Sequence, residues 1–307
     1  MNSYFESMLP AEELAQLEYI PTLGEFVEWI NRKWHDLPAL SDTVRHITYG
    51  EMCDTVAHKR ALLTEAGLQH GDCVAILDDS TIEVVEMFLA VTSAGCIAVI
   101  LPTALPPQAV AGCCMRFGAK MLAVGQNFME TSQGVSCKVT PITACSEGTA
   151  PVVHCDKDEA AAIFFTGGTT GTPKGAVLPH RALMRGALNG CYAPGHQLAC
   201  NRYAHVLPLS HVFGLIRGTL SALYTGAEWV SAGNVKETVT KLAAIRPTVM
   251  VAVPGICEIM MNLVKMYGKD FLGGQLHFII SGAANVPPRL IAEFDNIGVS
   301  LFAGYGR

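Results

Sequence analysis

Charge is scarce in this sequence: 16% of the 307 residues are Asp, Glu, Lys or Arg, against 50% hydrophobic. A chain this apolar can bury a large core, which excludes intrinsic disorder. The net charge is −6 and no cluster of Lys and Arg occurs, which argues against a nucleic-acid partner. C-x-x-C pairs are absent although there are 11 cysteines. Cys113 and Cys114 are adjacent and several others lie inside apolar runs. Reduced, buried thiols in a cytoplasmic protein are therefore expected in place of a disulfide framework. Charge runs, low-complexity tracts and repeats of fixed period are missing as well. The stretch from Met1 to Leu17 carries acids and no basic n-region, so it is not a secretion signal. The longest uncharged run, Met87 to Val110, has the length of a bilayer span. Thr92, Ser93, Gly95, Pro102, Pro106 and Pro107 interrupt it, so it reads as a helix end, a stop at Gly95, a strand and a Pro-rich loop. No transmembrane segment is expected.

What is present is a regular alternation. The length suggests about two compact units. Helices are expected at 23–33, 51–66, 81–93 and 107–117, with strands at 47–49, 73–77, 97–101 and 120–124 between them. Residues 125–158 are less regular. The alternation then resumes, with strands at 202–207, 228–230, 249–253, 277–281 and 300–302 and helices at 181–189, 213–224, 235–245, 256–266 and 288–294. Strand–helix alternation of this kind builds parallel sheets with helices on their faces, so the fold class is α/β.

The richest stretch is Thr166-Gly167-Gly168-Thr169-Thr170-Gly171-Thr172-Pro173-Lys174-Gly175, between a buried strand ending at Phe165 and a second strand, Ala176 to Leu178. Glycines let the backbone aim its N–H groups at an anion, threonines add neutral donors, and a lysine adds a mobile charge suited to phosphate oxygens. A plain turn is the competing explanation of the glycines alone. The stretch is neither G-x-x-x-x-G-K-[ST] nor G-x-G-x-x-G, because Pro173 precedes Lys174 and Gly175 follows it.

It resembles the phosphate loop of the acyl-adenylate-forming superfamily, the acyl-CoA synthetases and their relatives, whose usual form is Thr-Ser-Gly-[Ser/Thr]-Thr-Gly-x-Pro-Lys-Gly. Gly167 stands where that family has Ser, one hydroxyl fewer. The resemblance continues through Ile47-Thr48-Tyr49-Gly50-Glu51, Gly71-Asp72-Cys73-Val74-Ala75 and Leu207-Pro208-Leu209-Ser210-His211-Val212-Phe213-Gly214. It implies two doubly wound, mostly parallel sheets in an αβαβα-layered N-terminal domain. Residues 51–190 would form one subdomain, and residues 1–50 with 191–307 most of the other.

The resemblance also assigns roles. Thr166, Gly167, Gly168, Thr169, Thr170, Gly171 and Lys174 would hold the ATP phosphates, with Thr170 beside Mg²⁺. Gly282, Ala283, Ala284, Gly304, Tyr305 and Gly306 would seat the adenine, Tyr305 by stacking. His211 would border the acyl carboxylate, with Phe213 and Gly214 as scaffold. A packed or capping ring is the ordinary alternative for His211, and for His180 a structural role is expected. Pro254, Met250, Met260 and Met261 lie near the acyl pocket by analogy, but ordinary core is the stronger reading of each. The implied reaction joins a fatty or aryl acid to AMP and passes it to coenzyme A; a homodimer is allowed. The family's Thr-Glu after Tyr-Gly, its ribose aspartate and its mobile C-terminal domain have no counterpart before Arg307. The chain is thus expected to be the first part of a longer enzyme, cut before the β-barrel, with little turnover by itself. Two other classes stay open: a phosphotransferase using the same loop, and a non-catalytic nucleotide-binding or interaction protein.

Overall fold

The central strands of this chain are short and apolar on both faces. Cys73–Leu77 reads Cys-Val-Ala-Ile-Leu, and Val249–Ala252 reads Val-Met-Val-Ala. Strands of that kind belong in a sheet covered on both sides, since neither face tolerates water. The computed structural model describes residues 9–166, 174–192 and 197–304.

Thirteen strands are present among the described residues: β1 Pro38–Ser41, β2 His46–Thr48, β3 Cys73–Leu77, β4 Ile97–Ile100, β5 Ala119–Val124, β6 Lys138–Pro141, β7 Ala160–Thr166, β8 Lys174–Pro179, β9 Arg202–His205, β10 Glu228–Val230, β11 Val249–Ala252, β12 Phe278–Ser281 and β13 Ser300–Ala303. The helices are α1 Ala11–Leu14, α2 Leu23–Trp34, α3 Tyr49–Glu65, α4 Ile82–Ser93, α5 Pro107–Arg116, α6 His180–Cys191, a π-helix Phe213–Leu220 running into α7 Ser221–Tyr224, α8 Val235–Thr240, α9 Leu242–Ile245, α10 Pro254–Tyr267 and α11 Pro288–Asp295. Strands β3 to β8 form a six-stranded sheet in the order β6-β5-β3-β4-β7-β8, and the others a seven-stranded sheet in the order β13-β12-β11-β9-β10-β1-β2. Only β1–β2 and β7–β8 pair antiparallel among the described strands.

Side chains alternate between two cores. On the six-stranded sheet Val74, Ile76, Ala98 and Ile100 enter a core shared with α2, α3, α4 and α6, which also holds Trp229 and Leu40 of the seven-stranded sheet. Ala75, Leu77, Val99 and Leu122 point the other way, toward α5. Met250, Ala252, Ile279 and Leu301 of the seven-stranded sheet pack outward on α10 and α11. The layers run αβαβα. The central helix α4 has ten apolar or small residues of twelve and is buried nearly all round, as a helix between two sheets must be.

The elements differ from the sequence reading at particular places. Helix α3 begins at Tyr49 and not at Glu51, because Thr48 and Glu51 close a reciprocal capping box that draws Tyr49 and Gly50 into the first turn. Strands β1 and β6 were not expected; each has four residues, starts or ends on proline, and shows no alternation that a sequence scan can read. The strand from 202 stops at His205. The helix expected at 213–224 is π-helical over its first eight residues, and the one at 235–245 breaks at Lys241. The run from Met87 to Val110 resolves into the end of α4, β4 and the start of α5, and no helix among the described residues is long and apolar enough to cross a membrane. All eleven cysteines are unpaired.

Candidate active site

In an open α/β sheet, ligands bind outside the carboxyl ends of the strands, where loops diverge. Here the carboxyl ends of the two sheets are joined. Ser80, just past β3, donates its hydroxyl to Leu207 O at 3.0 Å and accepts the Leu209 N–H at 3.3 Å. Its own carbonyl accepts from Ser231 Oγ at 2.6 Å, beyond β10. Ser80 is buried, so this clamp holds the loop after β3 to the loops after β9 and β10 without competition from water. Beside it opens a cavity of about 260 Å³ lined by Asp78, Ser80, Thr103, Ser210, Asn234 and Lys236, among others. The Asp78 carboxyl is raised by burial, though the Asp79 N–H and the Thr81 hydroxyl bond to it and pull the other way. Gly125 makes room for it, since a Cβ there would come within 2.1 Å of Asp78 Oδ1. Asp78, Asp79 and Lys236 give this cavity carboxylates of two residues and one ammonium.

The 166–175 segment is held at both ends. β7 runs parallel to β4 and pairs antiparallel with β8, with Thr166 opposite Lys174. The connection therefore leaves from the carboxyl end of β7, and Lys174 is exposed at the start of β8. Gly167, Gly168, Thr169, Thr170 and Gly171 lie outside the described residues, as do Tyr305 and Gly306.

The remaining candidates sit on the other sheet. His211 is exposed, and its Nδ1 accepts the Phe213 N–H at 3.2 Å, so the ring does cap the turn that opens the π-helix. Gly282 and Gly304 follow β12 and β13. A Cβ on Gly282 would meet Phe213 Cζ at 2.9 Å and Gly304 O at 3.4 Å. The Phe213 ring thus lies against the Gly282 backbone, next to Gly304. The Gly304 N–H donates to Ser281 O at 2.6 Å. Ala283 is exposed with φ of 66°, a left-handed conformation that costs a non-glycine residue about 1–2 kcal/mol, and Ala284 beside it is exposed too. Strain of this kind at a strand end is a mark of ligand sites. The structure therefore brings His211, Phe213, Gly282 and Gly304 together. Thr166 and Lys174 stand apart from them, on the six-stranded sheet.

Phe213, expected as scaffold, packs its ring on the Gly282 backbone. Ser80 and Asp78 belong to no motif in the sequence; their position directly after a strand's carboxyl end is the available signal. His180 is structural as expected, with an unexpected partner. Its Nδ1 accepts the Leu23 N–H at 3.2 Å, capping α2 and not its own helix. Burial pulls its pKa down to about 4, so the ring is neutral and able to accept. Met250, Met260 and Met261 are fully buried core.

The family of AMP-binding enzymes is matched over residues 27–307. The chain is 28% identical to the indoleacetate–CoA ligase of Aromatoleum aromaticum, over 92% of this chain and 59% of that enzyme. It is 26% identical to the probable CoA ligase CCL9 of Humulus lupulus, over 85% of this chain and 54% of that protein. The chain thus spans between half and two thirds of these curated relatives. Its fold is that of the N-terminal domain of FACL13 from Mycobacterium tuberculosis, with a TM-score of 0.84 at 22% identity over 94% of this chain and 76% of that one. With the family matched over residues 27–307, this chain belongs to the AMP-binding enzymes.

Proposed function

We propose that this chain is the acid-activating part of an ATP-dependent acid–CoA ligase. The observation that carries the reading is the Gly/Thr/Lys connection leaving the carboxyl end of β7, its two ends pinned by the Thr166–Lys174 pair. Membership in the AMP-binding family supports it. A carboxylate oxygen attacks the α-phosphorus of ATP, and the bond to pyrophosphate breaks. The sulfur of coenzyme A then attacks the acyl carbonyl, and AMP leaves. Both partners of the first step are anions, so the site must neutralise charge before the oxygen can approach.

In this reading Thr166, Thr169, Thr170, the amides of Gly167, Gly168 and Gly171, and Lys174 hold the β- and γ-phosphates. Thr170 offers a hydroxyl oxygen, the hard donor that Mg²⁺ takes, and the ion would add positive charge beside the phosphates. Gly282, Ala283, Ala284, Gly304, Tyr305 and Gly306 seat the adenine. The missing Cβ at Gly282, which lets Phe213 close against the backbone, supports a flat slot there. His211 borders the acyl carboxylate; its exposure and its fixed ring orientation suit that role. A fatty or aryl acid is the substrate class. The division of strands between two sheets supports subdomains at 51–190 and at 1–50 with 191–307. Eleven unpaired thiols fit a reducing compartment such as the cytoplasm. Since the chain spans only part of its relatives' length, we expect it to turn over slowly or not at all unaided.

Acid-dependent exchange of labelled pyrophosphate into ATP, measured on the full protein that carries this chain, tests the reading. Exchange with at least one fatty or aryl acid is expected. ADP formation would identify a phosphotransferase, and nucleotide binding without exchange for any acid would identify a non-catalytic binder.

A further inference from the structure

At the amino-terminal end of the six-stranded sheet, opposite the candidate active site, three donor atoms of different kinds converge. His70 lies in the turn between α3 and β3, Cys155 in the stretch leading to β7, and Glu159 directly before β7. One ring nitrogen, the thiol sulfur and one carboxylate oxygen all lie within 4.8 Å of one another. His70 Nε2 and Glu159 Oε2 are 2.7 Å apart. His70 and Glu159 are exposed, and Cys155 is buried against them.

The backbone holds these groups in place. Gly95, at φ of 74°, accepts the Gly71 N–H at 2.8 Å, and a Cβ on it would come within 2.5 Å of His70 Nδ1. The His70 ring therefore rests on bare backbone where α4 ends. From the same helix end, Ser93 O accepts the Val153 N–H at 2.9 Å, and Cys155 Sγ in turn lies 3.6 Å from Val153 O. The Glu159 carbonyl accepts the His180 N–H at 3.1 Å. The end of α4 thus locates both His70 and Cys155, and β7 with α6 locates Glu159. A surface histidine–carboxylate pair alone gives no reason for a thiol within the same radius.

We propose that His70, Cys155 and Glu159 form a binding site for one divalent transition-metal ion, and the mixed N, S and O donor set selects zinc. A thiolate ligand rules out Mg²⁺ and Ca²⁺, which take oxygen, whereas zinc accepts all three donors at about 2.0–2.3 Å. Neighbouring ligand atoms in such a tetrahedron are roughly 3–4 Å apart, so the His70–Glu159 pair need open only slightly around the ion. The neutral imidazole and the carboxylate each donate a lone pair. The Cys155 thiol gives its proton to solvent as the sulfur–zinc bond forms, and water takes the fourth position. Bound zinc links residues 89 positions apart, and because the three donors converge only in the folded chain, its binding free energy adds to folding stability. It acts as a staple on the sheet, independent of acid activation.

The test uses the purified chain, stripped with a chelator and titrated separately with ZnCl₂, CoCl₂ and MgCl₂. One zinc per chain should bind. The melting temperature should rise by about 5 °C when free zinc stands about 100-fold above its dissociation constant. Magnesium should do neither, and cobalt should show a thiolate charge-transfer band in the near ultraviolet. His70→Asn, at an exposed position that the fold tolerates, should weaken zinc by more than the roughly 10–100-fold that loss of an outer partner costs. Cys155→Ser should abolish the cobalt–thiolate band. Absence of zinc binding to the parent chain overturns the proposal. So does zinc binding of parental affinity in both variants, since it would come from other cysteines.

Discussion

His205 is fully buried at the end of β9, its ring 4.9 Å from Trp229, with Nε2 left without a partner. Burial pulls its pKa down to about 4, against a small opposing pull from backbone hydrogen bonds. An unfolded chain takes up this proton near pH 6.5. The stability given by the neutral ring is therefore fully present above about pH 6.5 and is lost as pH falls toward about 4. Glu86 works the other way. Burial raises it to about 7 against the opposing pull of Lys59, so the folded chain holds that proton and gains stability as pH falls from about 7 to about 4.5. His205→Phe keeps the contact with Trp229 and removes one titration. On going from about pH 7 to about pH 5 the unfolding free energy should then change by roughly 2 kcal/mol more in the stabilising direction than in the parent, because the Glu86 gain is no longer offset. An unchanged difference would mean that His205 titrates normally. Lys174 presents the opposite situation, an exposed cation whose proposed work is on phosphate. Lys174→Ala should lower pyrophosphate exchange by about 100-fold or more while the melting temperature stays put. Full activity in that variant would remove the lysine from the mechanism.

The π-helix is the element whose geometry matters most to the site. Its first residues, Phe213 and Gly214, turn back over the strand end they left. A Cβ on Gly214 would stand 2.3 Å from Pro208 O, a backbone atom with no rotamer to escape into. The Thr219 and Ser221 hydroxyls reach five residues back, to Gly214 O at 3.2 Å and Ile216 O at 3.1 Å, and Ile216 O also accepts the Ser221 N–H, the i to i+5 spacing of the wider turn. Gly214→Ala should therefore destabilise the chain by about 1–3 kcal/mol and displace the Phe213 ring from Gly282. Thermal melting gives the first effect and acid-dependent exchange the second. A variant with parental melting would show that the π-turn has slack. The sequence reading placed a helix here because apolar residues recur at helical spacing. Periodicity cannot distinguish a π-turn from an α-turn over eight residues, and the close approach at Pro208 that selects the wider turn is not a local property.

Across the whole molecule, Ser80 is where the two sheets meet at their working ends. Ser80→Ala removes one donor and one acceptor from a buried junction and leaves the Leu209 N–H and the Leu207 carbonyl short of a partner. A loss of about 1–3 kcal/mol in urea unfolding is expected, with the slope unchanged because the buried surface is the same. If the midpoint does not move, the sheets are held by their shared helices alone. Those helices make that outcome a real alternative. The core they share spans both sheets, and Tyr49, at the start of α3, reaches across to donate to Ala227 O at 2.8 Å.

The chain order by itself determined the α/β class, most of the helix and strand positions, and the segment at 166–175. Each of these is carried by neighbours in sequence: a run of apolar residues, a glycine after a helix, threonines beside a lysine. Packing alone decided that Phe213 covers Gly282, that Ser80 ties β3 to β9, and that His180 caps a helix 157 residues away. It also decided that His70, Cys155 and Glu159 share one corner of the sheet. Such pairings depend on which strand lies beside which. That order minimises exposed apolar surface over all thirteen strands at once, and no window along the chain contains it.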